Sequence, residues 1–270
     1  MDIQQLKSSK ILVIGDSCID RYHFGECRRL SPEAPVPIFR LLKTKNSPGM
    51  AGNVKENLVN LGNNVDLISN KNKITKERFV DMESKHHIMR LDTGERKKII
   101  PCSSVEDIPY DQYDCIVISD YDKGFLDYSS IKKITTVAHE KNVVVFADSK
   151  KKDLSCFYNC FIKINEGEAI SAVKQPVACS FIITLGRTGA LYEGKTYNSF
   201  PSEVDDTGLP PNVCGAGDTF LSGLVTHYMT SNNIGEAISF ANLCASIAVK
   251  NFGTYAVKLK DTEKALGKEK

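Results

Sequence analysis

CIVISDYDKGFLDYSSIKKITTVAHEKNVVVFAD, residues 115–148, is the stretch whose reading decides the fold. It opens with a short apolar run that stops at Asp120 and closes with another, VVVFAD (143–148), that stops at Asp148. Between them, Ile131, Ile134, Val137 and Ala138 recur at the spacing of one helical face. Apolar runs without alternation suit parallel strands covered on both faces. Strand, helix and strand in succession predict an α/β sheet with right-handed crossovers. The same kind of run recurs at ILVIGD (11–16), FIKIN (161–165) and FIITLG (181–186). Parallel strands align their carboxyl ends along one edge, where open α/β sheets bind ligands. That edge is expected to carry Asp16, Asp120, Asp148, Asn165 and Thr184. Any one of these is an ordinary loop residue or helix cap, whereas five together predict a polar cleft.

Composition narrows the class. The 270 residues are 41% hydrophobic and 25% charged, enough chain to bury a core without cross-links. A net charge of +2 gives no reason to expect a nucleic-acid or membrane partner. The nine cysteines form no CxxC pair, and Cys115, Cys179 and Cys244 sit in apolar runs. There a reduced Cys behaves as a small hydrophobe, which points to a reducing, cytoplasmic setting. No structural metal is expected. The N-terminus lacks the apolar core of a signal peptide, and no apolar run approaches the ~20 residues of a membrane span.

Two late helices are expected. Phe220, Leu221, Leu224, Val225 and Tyr228 fall on one face, as do Ile234, Ala237, Ile238, Ala241, Cys244, Ala245 and Ala248. The second is rich in small residues, suiting close packing against the sheet or a cofactor, and Gly253 suits its termination. Residues 21–47 hold three prolines and short alternating pieces (Val36, Ile38, Leu41), poor helix material. They predict a small β excursion over the ligand edge, joined by a hairpin of residues 74–81 and 86–92. Residues 97–113 read only as a loop-rich connection.

Two glycine-rich stretches compete for a phosphate. GALYEGKT (189–196) spells a Walker A loop, which requires a helix directly after it. TYNSFPSEVDDTGLPP follows instead, without helical period, so Glu193-Gly194 is expected to turn a hairpin. NVCGAGDTF (212–220) runs straight into an amphipathic helix. The backbone N–H groups of Gly215, Ala216 and Gly217 can converge there on an anion, aided by the helix dipole. Asp218 is then either a helix-dipole partner or a base beside a transferring phosphoryl group.

NVCGAGDTFLSG resembles the C-terminal signature of the ribokinase, or PfkB-type, carbohydrate kinases. ILVIGDSCIDRY, PGMAGNVKENLVNLG, INEGE and ANLCASIAV resemble further motifs of that family along nearly the whole chain. DRYHFGECRRLSPEAPVPIF, IMRLD, SDYDKG and the Asp-x-Lys of DSK are closest to the kinase domain of heptose-7-phosphate kinases of lipopolysaccharide-precursor synthesis. Bifunctional members add a nucleotidyltransferase domain, which these 270 residues are expected not to contain.

The resemblance implies a single ribokinase-like domain over residues 1–270. Its mostly parallel central sheet is flanked by helices, with a small β lid (21–47 and 74–92) through which a homodimer forms. ATP and Mg²⁺ are the implied cofactors, and a sugar or sugar phosphate the partner. Asp218 is implied as the base, with Gly215, Ala216 and Gly217 as an anion hole. The Asn-x-x-Glu motif, Asn165, Glu166, Gly167 and Glu168, lies by the nucleotide, with Asn165 and Glu168 organising Mg²⁺ through waters. Thr184, Gly186 and Gly189 are implied as strand-end nucleotide contacts, and Asn242 as an adenine-side position. Asp20, Gly49, Gly52 and Asn53 would hold sugar hydroxyls. Arg90 and Lys123 are candidates for a substrate phosphate, set against ordinary solvated surface charges.

The sequence departs from the family in three places. The usual di-glycine is Gly49-Met50, a stiffer hinge. The Asp-x-Thr before GAGD is Asn212-Val213-Cys214, which leaves the family's monovalent-cation site open. Only Lys71, Asn72 and Lys73 separate VDLISN from ITKERF, so one sheet edge is expected to be trimmed. The expected activity is ATP-dependent transfer to a heptose 7-phosphate or related sugar phosphate. The competing readings are a kinase of an unphosphorylated sugar and a non-catalytic sugar- or nucleotide-binding protein.

Overall fold

A computed structural model describes residues 6–95, 99–103, 105–200, 213–251 and 253–267. Its main sheet is built from β1 (Lys10–Gly15), β4 (Asn64–Ser69), β7 (Cys115–Asp120), β8 (Val144–Ser149), β9 (Phe161–Asn165), β10 (Ser180–Thr184), β11 (Gly189–Tyr192) and β12 (Lys195–Asn198). The spatial order is β12-β11-β10-β9-β8-β7-β1-β4. The strands from β4 to β10 run parallel, and β11 and β12 close the far edge antiparallel.

Side-chain parity explains the continuous apolar runs. Leu12, Ile14, Ile116, Ile118, Val145 and Ala147 point to one face, where α2 (Tyr128–Glu140) lays Ile131, Ile134 and Ala138 on them. The alternate residues Ile11, Val13, Cys115, Val117 and Phe146 face the other side. They meet α1 (Ala51–Asn60), α4 (Ala216–Ser231) and α5 (Ile234–Val249). Both faces are dry, so neither parity is polar. The short α3 (Glu166–Ser171) follows β9, and α6 (Leu259–Ala265) packs Leu259 and Leu266 beside α5.

The small residues of α5 serve helix packing. A Cβ on Gly223 of α4 would lie 3.0 Å from the Cys244 sulfur and 3.1 Å from the Ala241 Cα. Helices that close tolerate only small side chains between them. The helix ends at Val249 with Lys250 as its cap, so Gly253 lies beyond the termination rather than at it.

The second, four-stranded sheet has the order β3-β2-β5-β6. Its strands are β2 (Ser17–Glu26), β3 (Arg40–Met50), β5 (Thr75–Asp81) and β6 (His87–Thr93). They extend past the expected segments at both roots, and between β2 and β3 the chain makes only a bridge of Leu30 with Pro37. Val36 and Leu41 are exposed, so the alternation read there builds no core. β4 is the last strand of the main sheet, and residues 70–74 lead directly from it into β5. The Asn70 side chain closes that short connection, accepting from Ser17 N–H at 2.6 Å and donating to the Asn72 carbonyl at 2.7 Å. Among the described residues, no helix is long and apolar enough to cross a membrane.

Candidate active site

The carboxyl edge of the main sheet carries the expected polar residues, but most of them face inward. Asp16, fully buried, accepts hydrogen bonds from the backbone N–H groups of Tyr121, Lys123 and Phe125 at 2.9, 3.2 and 3.3 Å. Burial raises its carboxyl above the ordinary carboxylate range, with those N–H groups opposing. Asp120 accepts from the Ser149 hydroxyl at 2.6 Å and pairs with Lys151 at 3.4 Å. Asp148 takes Lys163 at 2.5 Å and Lys150 at 3.0 Å. Its burial would raise the carboxyl, but the two lysines outweigh it and hold it below its ordinary value. These three aspartates therefore pin the loops that build the cleft.

Asp218 stands in the first turn of α4 and is nearly buried. Its Oδ2 accepts from the Asn53 amide at 2.8 Å, and its Oδ1 accepts from the Tyr121 hydroxyl at 2.7 Å. Desolvation pushes its carboxyl up to about 6, against both hydrogen bonds. A carboxylate with that value is ionised at neutral pH yet basic enough to take a proton.

The loop before α4 is shaped by glycine. Gly215 is left-handed at φ 79°, and a Cβ there would lie 2.9 Å from the Asn53 amide nitrogen. Only hydrogen at that position lets Asn53 reach Asp218. A Cβ on Gly217 would lie 2.9 Å from the Lys163 ammonium, which is buried directly beneath the loop. Ala216 N–H is bonded to the Val213 carbonyl at 3.2 Å, so it is turned away from a shared anion site. The N–H groups of Gly217 and Asp218 meet no acceptor among the described residues, as expected of a first helical turn. Asn212 lies outside the described residues.

At the end of β9, Asn165 and Glu168 form a reciprocal capping box on α3. Each side chain accepts from the other's backbone N–H at 2.8 Å, and Lys150 pairs with Glu168 at 2.6 Å. Glu166 and Gly167 lie exposed in the same turn. No cluster of three His, Cys, Asp or Glu able to hold a metal occurs among the described residues. That donor set fits an ion carried in on phosphates and waters, the usual habit of Mg²⁺. Thr184 is the register partner of Asn165, with its hydroxyl 3.4 Å from the Ile164 carbonyl. Gly186 and Gly189, both at positive φ, form the root of the β11–β12 hairpin.

That hairpin is GALYEGKT, turned by Glu193 and Gly194 at φ 46° and 74°. Asn242 lies on α5 beside that hairpin. Its amide donates to the Tyr197 and Asn198 carbonyls at 2.9 and 3.2 Å. Both bonds tie α5 to the hairpin.

On the small sheet, Asp20 is ion-paired with buried Arg78. Gly49 packs on that carboxylate, where a Cβ would lie 2.5 Å from Asp20 Oδ2, and Gly52 opens α1. Asn53 is part of the Asp218 grip. Arg90 is held in a fork by its neighbour Asp92 at 2.7 Å, half-exposed. Lys123 bonds Glu95 at 3.0 Å. The sequence reading missed Tyr121, Lys163 and Arg78 as members of the site. A charged residue inside the apolar run FIKIN was the available signal for Lys163.

A mostly parallel sheet with a small second sheet beside it, and an acid at a glycine-led helix start on its carboxyl edge, make up a ribokinase-like α/β fold. Residues 160–261 match the model of the pfkB family carbohydrate kinases. It is 32% identical over 306 residues to the bifunctional protein HldE of Nitratiruptor sp., covering 94% of this chain and 64% of the relative. The HldE of Sulfurimonas denitrificans is 30% identical over 318 residues, covering 97% and 65%. The chain thus spans just under two thirds of the length of these relatives. Among solved structures it is similar to phosphofructokinase-2 from Escherichia coli in complex with potassium, with a TM-score of 0.73, 17% identity and 95% and 97% coverage. Arabidopsis thaliana ribokinase complexed with ribose and ATP follows at 0.65, 14%, 96% and 99%. Likeness at that identity concerns the fold.

Proposed function

We propose that the chain is an ATP-dependent kinase that phosphorylates a heptose 7-phosphate or a related sugar phosphate by direct in-line transfer. The observation that carries the reading is Asp218. It is a buried carboxylate with its value raised to about 6, gripped at both oxygens beside open helix N–H groups. Asp218 accepts the sugar hydroxyl's proton as that oxygen attacks the γ-phosphate. Asn53 and Tyr121 fix the direction in which its lone pairs point. The N–H groups of Gly217 and Asp218 and the Lys163 ammonium beneath them offset charge on the transferring group. Mg²⁺ on the ATP phosphates supplies further neutralisation when bound, and Asn165 and Glu168 would hold it through waters. Asp20, Gly49 and Asn53 border the acceptor, and the small sheet serves as the lid of this one domain. Exposed Leu41, Leu42, Met89 and Leu91 on that sheet suit a homodimer through the lid. The motifs shared with heptose-7-phosphate kinases support the acceptor, and a cytoplasmic setting follows from that role.

The test is ADP release across a panel of sugars and sugar phosphates, with wild type and Asp218→Asn compared on the responding substrate. Turnover confined to wild type is the expected result. Wild-type turnover in Asp218→Asn would sink the mechanism, and silence of wild type on every acceptor would favour a binding protein.

A further inference from the structure

Cys160 and Cys179 stand one residue before β9 and β10 begin, at the amino ends of those strands. The strands are parallel neighbours in which Phe161 pairs with Ser180, so the two cysteines occupy the next register position. The Ser180 N–H donates to the Cys160 carbonyl at 3.0 Å, which carries the ladder back to that position. Neighbouring strands lie about 4.7–4.9 Å apart, within the Cα separation that a disulfide spans. Side chains that are side by side in register share a face, and both cysteines turn toward the core beneath α2. Their sulfurs lie 3.4 Å apart.

The two thiols are unequal. Cys160 is buried, whereas Cys179 is half-buried, next in the chain to the exposed Val177 and Ala178. The Cys160 thiol, with help from the N–H groups of Cys160 and Asn159, holds the Cys179 thiol below its ordinary value against burial. The same contact, and then burial, push the Cys160 thiol up. The shared proton therefore stays with Cys160, and the more accessible sulfur is the better nucleophile.

We infer that Cys160 and Cys179 are a dithiol modification site, oxidised to an intramolecular disulfide by a low-molecular-weight disulfide such as glutathione disulfide. The Cys179 thiolate attacks one sulfur of the oxidant, forming a mixed disulfide and expelling a thiolate that takes up the proton Cys179 gave to water. Cys160 then loses its proton and attacks the Cys179 sulfur, and the second expelled thiolate takes up that proton. Two protein thiols are oxidised, and one disulfide is reduced to two thiols. Disulfides in a reducing compartment are usually transient ones of this kind. The new bond closes a loop around α3 and its capping residues Asn165 and Glu168. The sulfurs sit at the opposite end of β9 from Asn165, so the inference does not rest on the kinase reading.

The test incubates the reduced, native protein with excess glutathione disulfide until Cys27 carries glutathione. Free thiols are then blocked with N-ethylmaleimide, and the digest is mapped by mass spectrometry. Cys27, half-buried and bonded to no other sulfur among the described residues, is the internal standard. Expected in wild type is a cross-link between the Cys160 and Cys179 peptides, two hydrogens lighter than their sum and lost on reduction. In Cys160→Ser the mixed disulfide cannot resolve, so glutathione on Cys179 should exceed the wild-type amount by about tenfold or more, because ring closure outpaces a second encounter. In Cys179→Ser, buried Cys160 should stay unmodified. Free thiols at both positions in wild type would overturn the inference. So would lasting glutathione on wild-type Cys179, or a bond from Cys160 to any other cysteine. The wild-type map needs no variant, so poor folding of a serine variant leaves the test standing.

Discussion

Residues 189–196 turn back on themselves between β11 and β12, whereas residues 213–220 run from a left-handed glycine straight into α4. Both stretches are rich in glycine, and both have glycines at positive φ. They differ in what surrounds those glycines. Around Gly194 a Cβ would meet nothing within 4 Å and around Gly189 only the backbone of the paired strand, while around Gly215 and Gly217 it would press on the Asn53 and Lys163 side chains. The hairpin glycine serves only a turn. The glycines before α4 make room for polar side chains to converge under open N–H groups. A phosphate loop is defined by that convergence and by the helix behind it, not by its spelling.

The most forceful way to break the comparison is to remove a polar group from each stretch. Asp218→Asn is expected to lower kcat by about 10²–10⁴-fold, the range for loss of a positioned base. Lys195→Ala, whose ammonium rests over the Tyr197 ring, is expected to stay within about twofold. Comparable losses in a coupled ADP assay would restore GALYEGKT as the phosphate loop.

Adding a methyl group gives the next contrast. Gly215→Ala forces both a left-handed alanine and a clash with Asn53, so a fall of at least about tenfold in kcat is expected, together with a lower Tm. Gly194→Ala carries only the left-handed strain, about 1–2 kcal/mol in denaturant unfolding, with activity retained.

The pH profile sharpens the same contrast. A base must be ionised, so kcat/KM should be flat above the value of Asp218 in the free enzyme and fall as pH drops through about 6. Tyr121→Phe removes a hydrogen bond that lowers that value, so the acid limb should move to higher pH. An unmoved limb would deny Tyr121 its hold on the base.

The smallest expected effect concerns a left-handed position that carries a side chain. Met50, joining β3 to α1, has φ 56° and ψ −131°. Strain of this kind costs about 1–3 kcal/mol, and burial of the methionine offsets it. Met50→Ala loses the packing and keeps the strain, while Met50→Gly loses both. Glycine is therefore expected to be the more stable of the two by about 1 kcal/mol, the reverse of their usual order.

Much of this fold was legible. Parallel strands dry on both faces announce themselves as unbroken apolar runs, and α2, α4 and α5 as helical faces. The hairpin at 189–198 was readable from its flanks, because no helix could follow. The site was legible only in part. Asp218 and its glycines stood out, but Tyr121 and Arg78 become site residues through pairings 97 and 58 positions apart in sequence. The bonds of Asn242 to the hairpin carbonyls could not be read either, because an amide's spacing says nothing of which carbonyls it will face. Asn165 and Glu168 could have been read from spacing alone as a capping box.

By itself, then, the sequence determined the α/β class, the order of elements, and which glycine-rich stretch leads a helix, because these follow from local periodicity and chain punctuation. Only the tertiary structure decided where the charges go. Burial and long-range pairing turned Asp16, Asp120 and Asp148 inward and lifted Asp218 to about 6. The same packing set Lys163 beneath the loop. Those outcomes depend on desolvation and on partners brought together by folding, neither of which is written in spacing.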